Sequence, residues 1–334
     1  MSSTKLLLVI CVTIISLFQI PDSKAISATV EVTGPNESYT NNVGFELSGD
    51  AIGISSTPDH NTITNNGLIN AGTGSSAYGM LIDGGYNLVT NAGSISETSP
   101  IGVASGIGFE TGNYNSIINS GSITSSTTID GTAGSWGVWS SGDFLSFDSS
   151  GDITASTTDT GTNAIASGLR TIGDSGNYIN SGNIDVTVPN GTANGMDSVG
   201  NSNTITSSGT INATAGTSGF VNGINSGRVS FLSNNNTISN SGTITASAGD
   251  SGRAYGINSY GNSNTLTNSG TITATVGDSA NAYGINSNGD SNTITNTRII
   301  NATAGDGGGA YGIFSGGNIN TLNQLWHYNC NSGG

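Results

Sequence analysis

The chain has 334 residues, 52 of them glycine, and a formal net charge of −15 from 21 acidic and 6 basic residues. A surface this acidic argues against a nucleic-acid partner and against anionic lipid headgroups. The two cysteines, Cys11 and Cys330, lie near opposite ends, and Cys11 falls in an apolar leader, so no internal disulfide is expected in the mature chain.

The N-terminus has the pattern of an export signal, a signal peptide that we place at residues 1–25. An apolar run at 6–20 follows Lys5, and small residues precede a cleavage point after Ala25. The run is short for a membrane span, so we expect cleavage and no transmembrane segment in the mature chain. An uncleaved membrane anchor is the alternative. Residues 26–50 are interpreted as an N-terminal cap.

Residues 51–322 form a tandem repeat. Their richness in Gly, Ser, Thr and Asn also occurs in disordered chains, but their periodicity indicates a folded repeat protein. A small-x-Gly-apolar step, such as Ala254-Tyr255-Gly256-Ile257, recurs at intervals of 26 to 33 residues. The glycines of this step are Gly53, Gly79, Gly106, Gly137, Gly168, Gly195, Gly223, Gly256, Gly284 and Gly312.

Each copy contains three short β-patterned runs separated by turn residues, such as 292–295, 299–303 and 310–313. Isoleucine alternates with threonine in these runs, so isoleucine faces one side and threonine the other. One copy cannot bury its isoleucine face alone, so the copies must stack. The sequence therefore predicts an all-β fold, a right-handed parallel β-helix (solenoid) of about ten coils of roughly 28 residues. A propeller or sandwich is the alternative architecture.

Stacking makes specific predictions about ladders of equivalent residues. Two buried ladders are expected, one through Ile205, Ile238, Leu266 and Ile294, the other through Ile211, Ile244, Ile272 and Ile300. Asn240, Asn268 and Asn296 recur at one turn and predict an asparagine ladder that satisfies turn backbone groups. The Asn-Ser-Gly and Gly-Asp-Ser segments predict turns, because Asn and Gly tolerate positive φ. The long step through residues 228–232 predicts a loop that bulges from one corner.

Residues 323–334 break the repeat, and we interpret them as a frameshifted tail. Trp326 stands 28 positions after Arg298, where the repeat requires glycine. Read one base further on, a Trp codon followed by any His codon contains GGC, a glycine codon. The next shifted codons encode Thr or Ile and then Ala or Val, as the repeat requires, so the ancestral gene is expected to continue into further repeats. A divergent C-terminal cap is the alternative, and translating the DNA beyond codon 323 in the +1 frame distinguishes the two.

The sequence predicts no enzyme, with no catalytic residue, no cofactor and no metal site. The rival hypothesis is a secreted polysaccharide-binding or polysaccharide-cleaving β-helix, because sugar-cleaving enzymes use carboxylates clustered on neighbouring coils. The candidate residues are Asp143, Asp148, Asp152 and Asp174, with Arg170 nearby. Solvated turn residues are the simpler interpretation of these acids.

Three further patterns also have simple explanations. Gly-Asp-Ser-Gly at 173–176 and 249–252 matches the nucleophile loop of trypsin-like proteases, but His60 lies several coils away. One turn repeats an acid that could bind Ca²⁺ weakly, at Asp250, Asp278 and Asp306. Thr-x-Thr steps of the kind found in some ice-binding β-helices occur at Thr204/Thr206, Thr237/Ser239, Thr265/Thr267 and Thr293/Thr295. Any exposed strand favours threonine, however.

Residues 261–273, followed by Ala282-Tyr283-Gly284-Ile285, resemble the passenger repeats of Gram-negative autotransporters. The resemblance covers roughly residues 51–322. It implies export, passage of the outer membrane through a C-terminal barrel, and a rod outside the cell with roles in adhesion, aggregation and host contact. This sequence departs from the family in having no barrel-like segment.

The resemblance therefore implies a cell-surface or extracellular location for the intact ancestor, attached to an outer-membrane barrel, and the periplasm for this truncated chain. We expect an exported, non-catalytic fragment with a structural or adhesive role. Its expected partners are host or bacterial surface glycans or proteins, and no nucleic acid.

Overall fold

The structure is a computed structural model, and the residues it describes are 25–26, 29–42, 46–49, 52–72, 76–100, 102–128, 134–324 and 328–333. Most of the predicted export signal, residues 1–24, lies outside the described residues. Within the described ranges every regular element is a β-strand, so no helix there is long and apolar enough to cross a membrane.

The strands form three parallel sheets, and each coil of the chain adds one strand to each sheet in the order B, C, A. Sheet A stacks β1 (Ala25–Ile26), β4 (Glu46–Gly49), β7 (Leu68–Ala71), β10 (Ser94–Ser99), β13 (Ser122–Thr127), β16 (Asp152–Thr157), β19 (Asn183–Val188), β22 (Thr210–Ala215), β25 (Thr243–Ala248), β28 (Thr271–Val276), β31 (Ile300–Ala304) and β34 (Tyr328–Ser332). Sheet B stacks β2 (Val30–Val32), β5 (Ile52–Ser56), β8 (Ala77–Ile82), β11 (Ala104–Phe109), β14 (Gly134–Ser141), β17 (Ile165–Ile172), β20 (Thr192–Val199), β23 (Phe220–Ser226), β26 (Arg253–Tyr260), β29 (Asn281–Asn288) and β32 (Gly309–Gly316). Sheet C stacks β3 (Ser38–Asn41), β6 (Thr62–Asn65), β9 (Leu88–Asn91), β12 (Ser116–Asn119), β15 (Ser146–Ser149), β18 (Asn177–Asn180), β21 (Thr204–Ser207), β24 (Thr237–Asn240), β27 (Thr265–Asn268), β30 (Thr293–Asn296) and β33 (Thr321–Gln324).

This topology confirms the prediction of an all-β parallel β-helix of about ten coils. Equivalent residues of successive coils pair directly, as Ile244 with Ile272 and Ile272 with Ile300. Coils sit about 4.8 Å apart along the axis, the spacing of hydrogen-bonded strands. All eight residues of the two predicted ladders are fully buried, one ladder in sheet C and the other in sheet A. Each such side chain contributes about 1.5–3 kcal/mol through burial.

The asparagine ladder is also confirmed, at the corner between sheets C and A. Asn268 accepts a hydrogen bond from the Asn240 amide at 2.8 Å, and donates to Asn296 Oδ1 at 2.8 Å and to the Gly270 carbonyl at 3.1 Å. The side chain is fully buried, so each of these polar groups depends on its neighbour in the ladder.

Replacing Asn268 with alanine is expected to lower the free energy of unfolding by about 2 kcal/mol, because it leaves amide groups of two neighbouring coils without partners. Thr267→Ala, one residue earlier on the outer surface, is the matched control and should change stability by less than about 0.5 kcal/mol. Urea denaturation followed by circular dichroism measures both. Equal effects of the two substitutions would contradict a structural role for the ladder.

The turns occur where predicted, and Asn235, Gly261 and Gly289 adopt positive φ as expected, but serine does so as well. At the corner between sheets B and C, Ser202, Ser263 and Ser291 adopt φ near 59°. Gly270, in the Asn-Ser-Gly turn, has no positive φ, and a Cβ there would collide with the Gly242 carbonyl of the preceding coil. Glycine is therefore required at that corner by the close stacking of coils rather than by backbone conformation.

Both ends of the repeat take part in the sheets. Strands β2, β3 and β4 lie in sheets B, C and A within the segment interpreted as an N-terminal cap. In the tail, Tyr328 pairs with Ile300 and Cys330 with Ala302. The shifted reading frame offers Ile or Thr and Ala or Val at these two positions, which suits the ladders. The domain boundaries and the frameshift stay predictions.

Candidate binding groove

The repeated glycine step changes which side chains of sheet B face outward. In β26 both Gly256 and Ile257 face the core, because a Cβ on Gly256 would meet the Ile272 side chain and Ile257 is fully buried. Strand alternation is interrupted there, so the two flanking residues, Tyr255 and Asn258, both face outward. From coil to coil these flanking residues form two outward columns.

The columns are defined by their position around the glycine. Column 1 precedes the glycine and contains Trp136, Ser167, Asn194, Asn222, Tyr255 and Tyr283. Column 2 follows the apolar residue and contains Trp139, Arg170, Asp197, Asn225, Asn258 and Asn286. Asn222, Asn225 and Asn258 are no more than 3% exposed although they lie on the outer face. They therefore form the floor of a groove.

The groove has a volume of about 470 Å³. Phe220 and Arg253 line it where the strands of sheet B begin, and Tyr260 lines it where they end. Clefts of this size with a few convergent polar groups are the usual form of ligand sites.

Asp197 is a buried carboxylate that contacts two residues of the groove, Asn225 and Arg228. Its Oδ2 lies 2.7 Å from Arg228 Nη2 and 3.6 Å from Arg170 Nη1, and its side chain has no exposed area. Its Oδ1 accepts a hydrogen bond from the Asn225 amide at 2.7 Å. A buried carboxylate is stable only with such partners, so two cations and one amide hold Asp197 in place.

A directional chain of amides extends from this carboxylate along column 2. Asn258 donates to Asn225 Oδ1 at 3.0 Å, and Asn286 donates to Asn258 Oδ1 at 2.7 Å. Each amide donates toward Asp197, so the charge of the carboxylate orients the whole row, and each bond polarises the next. The floor is consequently a rigid, ordered polar surface.

Three polar atoms of the two columns have no hydrogen-bond partner within the described residues: Asn222 Oδ1, which lines the groove, and Arg170 Nη1 and Trp136 Nε1, which lie in earlier coils. The pKa of Arg170 is lowered, chiefly because the side chain is buried. The nearby Asp197 carboxylate opposes this effect, and the charge of Arg228 adds to it. The Arg170 guanidinium lies 5.8 Å from the centre of the Trp136 ring, within cation–π range. A buried polar group without a partner is costly, so Asn222 Oδ1 is a natural contact for a polar ligand in the groove.

A loop at residues 227–232, which corresponds to the predicted bulge, forms one wall. Arg228 and Phe231 exchange backbone hydrogen bonds of 2.9 Å, and the Arg228 side chain anchors the loop to Asp197. The loop exposes Val229 and Phe231 by 76% and 65% of their surfaces. Two large apolar side chains at the mouth of a polar groove indicate a contact surface.

Stacked tyrosines continue column 1 toward the C-terminus. The rings of Tyr255 and Tyr283 lie 4.9 Å apart, and those of Tyr283 and Tyr311 lie 4.8 Å apart, nearly parallel in both pairs. Burial raises the pKa of Tyr255 to about 12 and raises that of Tyr283. Both hydroxyls therefore stay protonated at neutral pH and can donate hydrogen bonds.

The carboxylates proposed for sugar cleavage lie elsewhere. Asp143 and Asp174 occupy a corner turn, where Asp143 Oδ1 accepts a hydrogen bond from the Asp174 N–H at 2.8 Å. Asp148 is exposed on sheet C, and Asp152 is exposed at the start of a sheet A strand, bound to the Asn183 amide. Arg170 instead joins Asp197 on sheet B.

The other patterns also have structural explanations. Asp250 and Asp278 each accept the backbone N–H of the next coil's aspartate at 2.9 Å, and the described part of the chain contains no cluster of three potential metal ligands. Ser175 and Ser251 occupy turns with positive φ, whereas the His60 ring stacks on Tyr86 at 4.8 Å. The Thr-x-Thr steps face outward on sheet C.

Asp197, Arg228 and the amide row were not predicted from the sequence. A signal was present: the residue after the Gly-apolar pair is Asn or Asp in four successive coils, and in the coil before them it is Arg170. The involvement of Arg228 could not be found in this way, because it lies in the irregular loop.

The chain matches no protein-family model, and no curated protein and no solved structure is detectably similar to it.

Proposed function

We propose that the chain is an exported, non-catalytic β-helix of the autotransporter-passenger type, which attaches to carbohydrate chains at a cell surface through the outer face of sheet B. The observation that carries the proposal is an amide-lined floor bordered by aromatic side chains. Sugars present hydroxyls that donate and accept hydrogen bonds, and apolar C–H faces that pack on flat rings. Amides and aromatic rings together satisfy both requirements.

The apolar loop supports the same proposal. Val229 and Phe231 are exposed beside the groove and could pack on a bound chain. The repetition of the two columns also suits an extended polymer, because successive coils offer similar contacts along the rod axis. A leader with the export pattern, and the resemblance of residues 51–322 to passenger repeats, favour a surface location for the intact protein.

Binding to a panel of immobilised polysaccharides tests the proposal. Tyr260→Ala, which removes an aromatic side chain from the groove, is expected to weaken binding about tenfold, or about 1.4 kcal/mol. Tyr86→Ala is the matched control, because Tyr86 is an exposed aromatic residue of the aromatic stack at the corner between sheets B and C. It should leave binding unchanged.

The proposal would be contradicted if the wild-type chain bound no polysaccharide. It would also be contradicted if Tyr260→Ala and Tyr86→Ala lost the same amount of binding affinity. Release of new reducing ends from a bound polysaccharide would instead identify the chain as a sugar-cleaving enzyme, the rival hypothesis.

A further inference from the structure

Arginine is concentrated at the groove of an otherwise acidic molecule. Beyond residue 25 the chain contains no lysine and four arginines: Arg170, Arg228, Arg253 and Arg298. Arg228 and Arg253 line the groove, and Arg170 joins the same ion network through Asp197. Three of the four cations therefore lie at one site, on a chain whose formal net charge is −15.

The charges of these arginines are only partly compensated. Asp197 is the one carboxylate that contacts them among the described residues, and it is shared by Arg170 and Arg228. Arg253 is exposed and pairs with no carboxylate in the described part of the chain. The Arg228 side chain is 39% exposed, and a single nitrogen, Nη2, contacts Asp197. Both guanidinium groups thus keep donors available to a ligand.

We infer that the groove selects anionic glycans, chains that carry sugar carboxylates or sulfates, over neutral ones; the inference rests on the proposed function. A planar guanidinium binds either anion through two parallel hydrogen bonds. Arg253, at the start of β26, and Arg228, in the loop after β23, both line the groove, and the unpartnered Asn222 Oδ1 in the same lining can accept a hydrogen bond from a sugar hydroxyl. Phe220 and Tyr260 supply flat surfaces for the sugar rings.

The acidity of the rod does not prevent this recognition at physiological salt. The Debye length is about 8 Å at 0.15 M ionic strength, so distant carboxylates are screened while contacts within the groove are not. The same acidity disfavours nucleic acids, whose closely spaced phosphates would extend beyond the groove onto acidic surface.

Isothermal titration of the full chain at 0.15 M salt with polygalacturonate, and with the same polymer methyl-esterified, tests the inference. The esterified chain keeps its linkages but loses its charge. We expect it to bind at least tenfold more weakly than polygalacturonate. Arg253→Gln should weaken binding of the acidic polymer about tenfold, whereas Arg298→Gln, at a corner between sheets C and A, should bind as the wild type does.

A third probe, dextran sulfate, distinguishes the two anion sources. Binding of dextran sulfate without polygalacturonate supports the inference and assigns the anion to sulfate. Equal affinity for the charged and esterified polymers overturns the inference but leaves carbohydrate binding standing. If none of the three polymers binds, the inference is overturned. If no polysaccharide of the wider panel binds either, the proposed function is also wrong. Equal affinity for single-stranded DNA overturns the selection of glycans.

Discussion

Replacing Gly106 with alanine is expected to lower the free energy of unfolding by about 3 kcal/mol, whereas Gly108→Ala should leave it unchanged or slightly raised. The two glycines lie two residues apart in β11. A Cβ on Gly106 would collide with the Ile123 side chain and lie 2.5 Å from the Gly137 carbonyl oxygen. A Cβ on Gly108 meets nothing closer than 3.4 Å.

An alanine methyl group at position 106 has no room, because the Ile123 side chain and the Gly137 carbonyl both belong to the packed stack of coils. Ile123 is buried in a sheet A ladder, and the Gly137 carbonyl belongs to the next coil of sheet B. Denaturation followed by circular dichroism and tryptophan fluorescence measures the effect, and Trp136 in the next coil reports directly on this region. Equal denaturation midpoints for the two variants would contradict the close packing of the glycine step.

Glu97 is expected to make the stability of the chain decrease as pH rises from about 4.3, the ordinary unfolded value, toward its folded pKa. Its side chain is 1% exposed in sheet A, between Ala71 and Ser125 of the adjacent coils. Neither carboxylate oxygen has a hydrogen-bond partner on another described residue. Burial raises the pKa of Glu97 well above the ordinary value, and a hydrogen bond from its own backbone N–H offsets only part of this rise.

The direction of the effect follows from proton binding. The folded state holds the Glu97 proton more tightly than the unfolded state, so this stabilisation is complete below the unfolded pKa and is lost as pH rises. Each pH unit within that window costs about 1.4 kcal/mol. Glu97→Gln keeps the shape of the side chain and removes the titration.

The measurement is the difference in unfolding free energy between the wild type and Glu97→Gln at pH 5, 6 and 7. Other titrating groups cancel in this difference. We expect the variant to gain steadily on the wild type as pH rises. A difference that does not change with pH would mean that the carboxylate reaches solvent or a partner.

Much of the fold could be predicted because every repeat contains the same alternation of buried and exposed residues at nearly the same spacing. The alternation of Ile with Thr around Gly270 specifies strands, and a spacing of 28 residues places Ile272 directly against Ile300. Local turn chemistry was predicted only in part: Gly261 adopts the expected positive φ, but Ser263 in the same turn also does.

The groove was harder to predict because it depends on contacts across several coils. Asp197 and Arg228 are separated by 31 residues and meet only because an irregular loop folds back over sheet B. Composition also gave no indication of the groove, since a net charge of −15 says nothing of a site where Arg170 and Arg228 share Asp197 and Arg253 lines the same groove as Arg228. The buried position of Glu97 follows from its alignment with Ala71, but its lack of a partner required the packed structure.

The most direct test of carbohydrate binding is a crystal structure of the chain with an oligosaccharide of galacturonic acid. The predicted result is a sugar chain on the outer face of sheet B, over Asn225 and Asn258, with a sugar carboxylate on the Arg253 guanidinium. An oligosaccharide bound instead to the outer face of sheet A or sheet C, with the groove of sheet B empty, would contradict the assignment of this groove as the binding site.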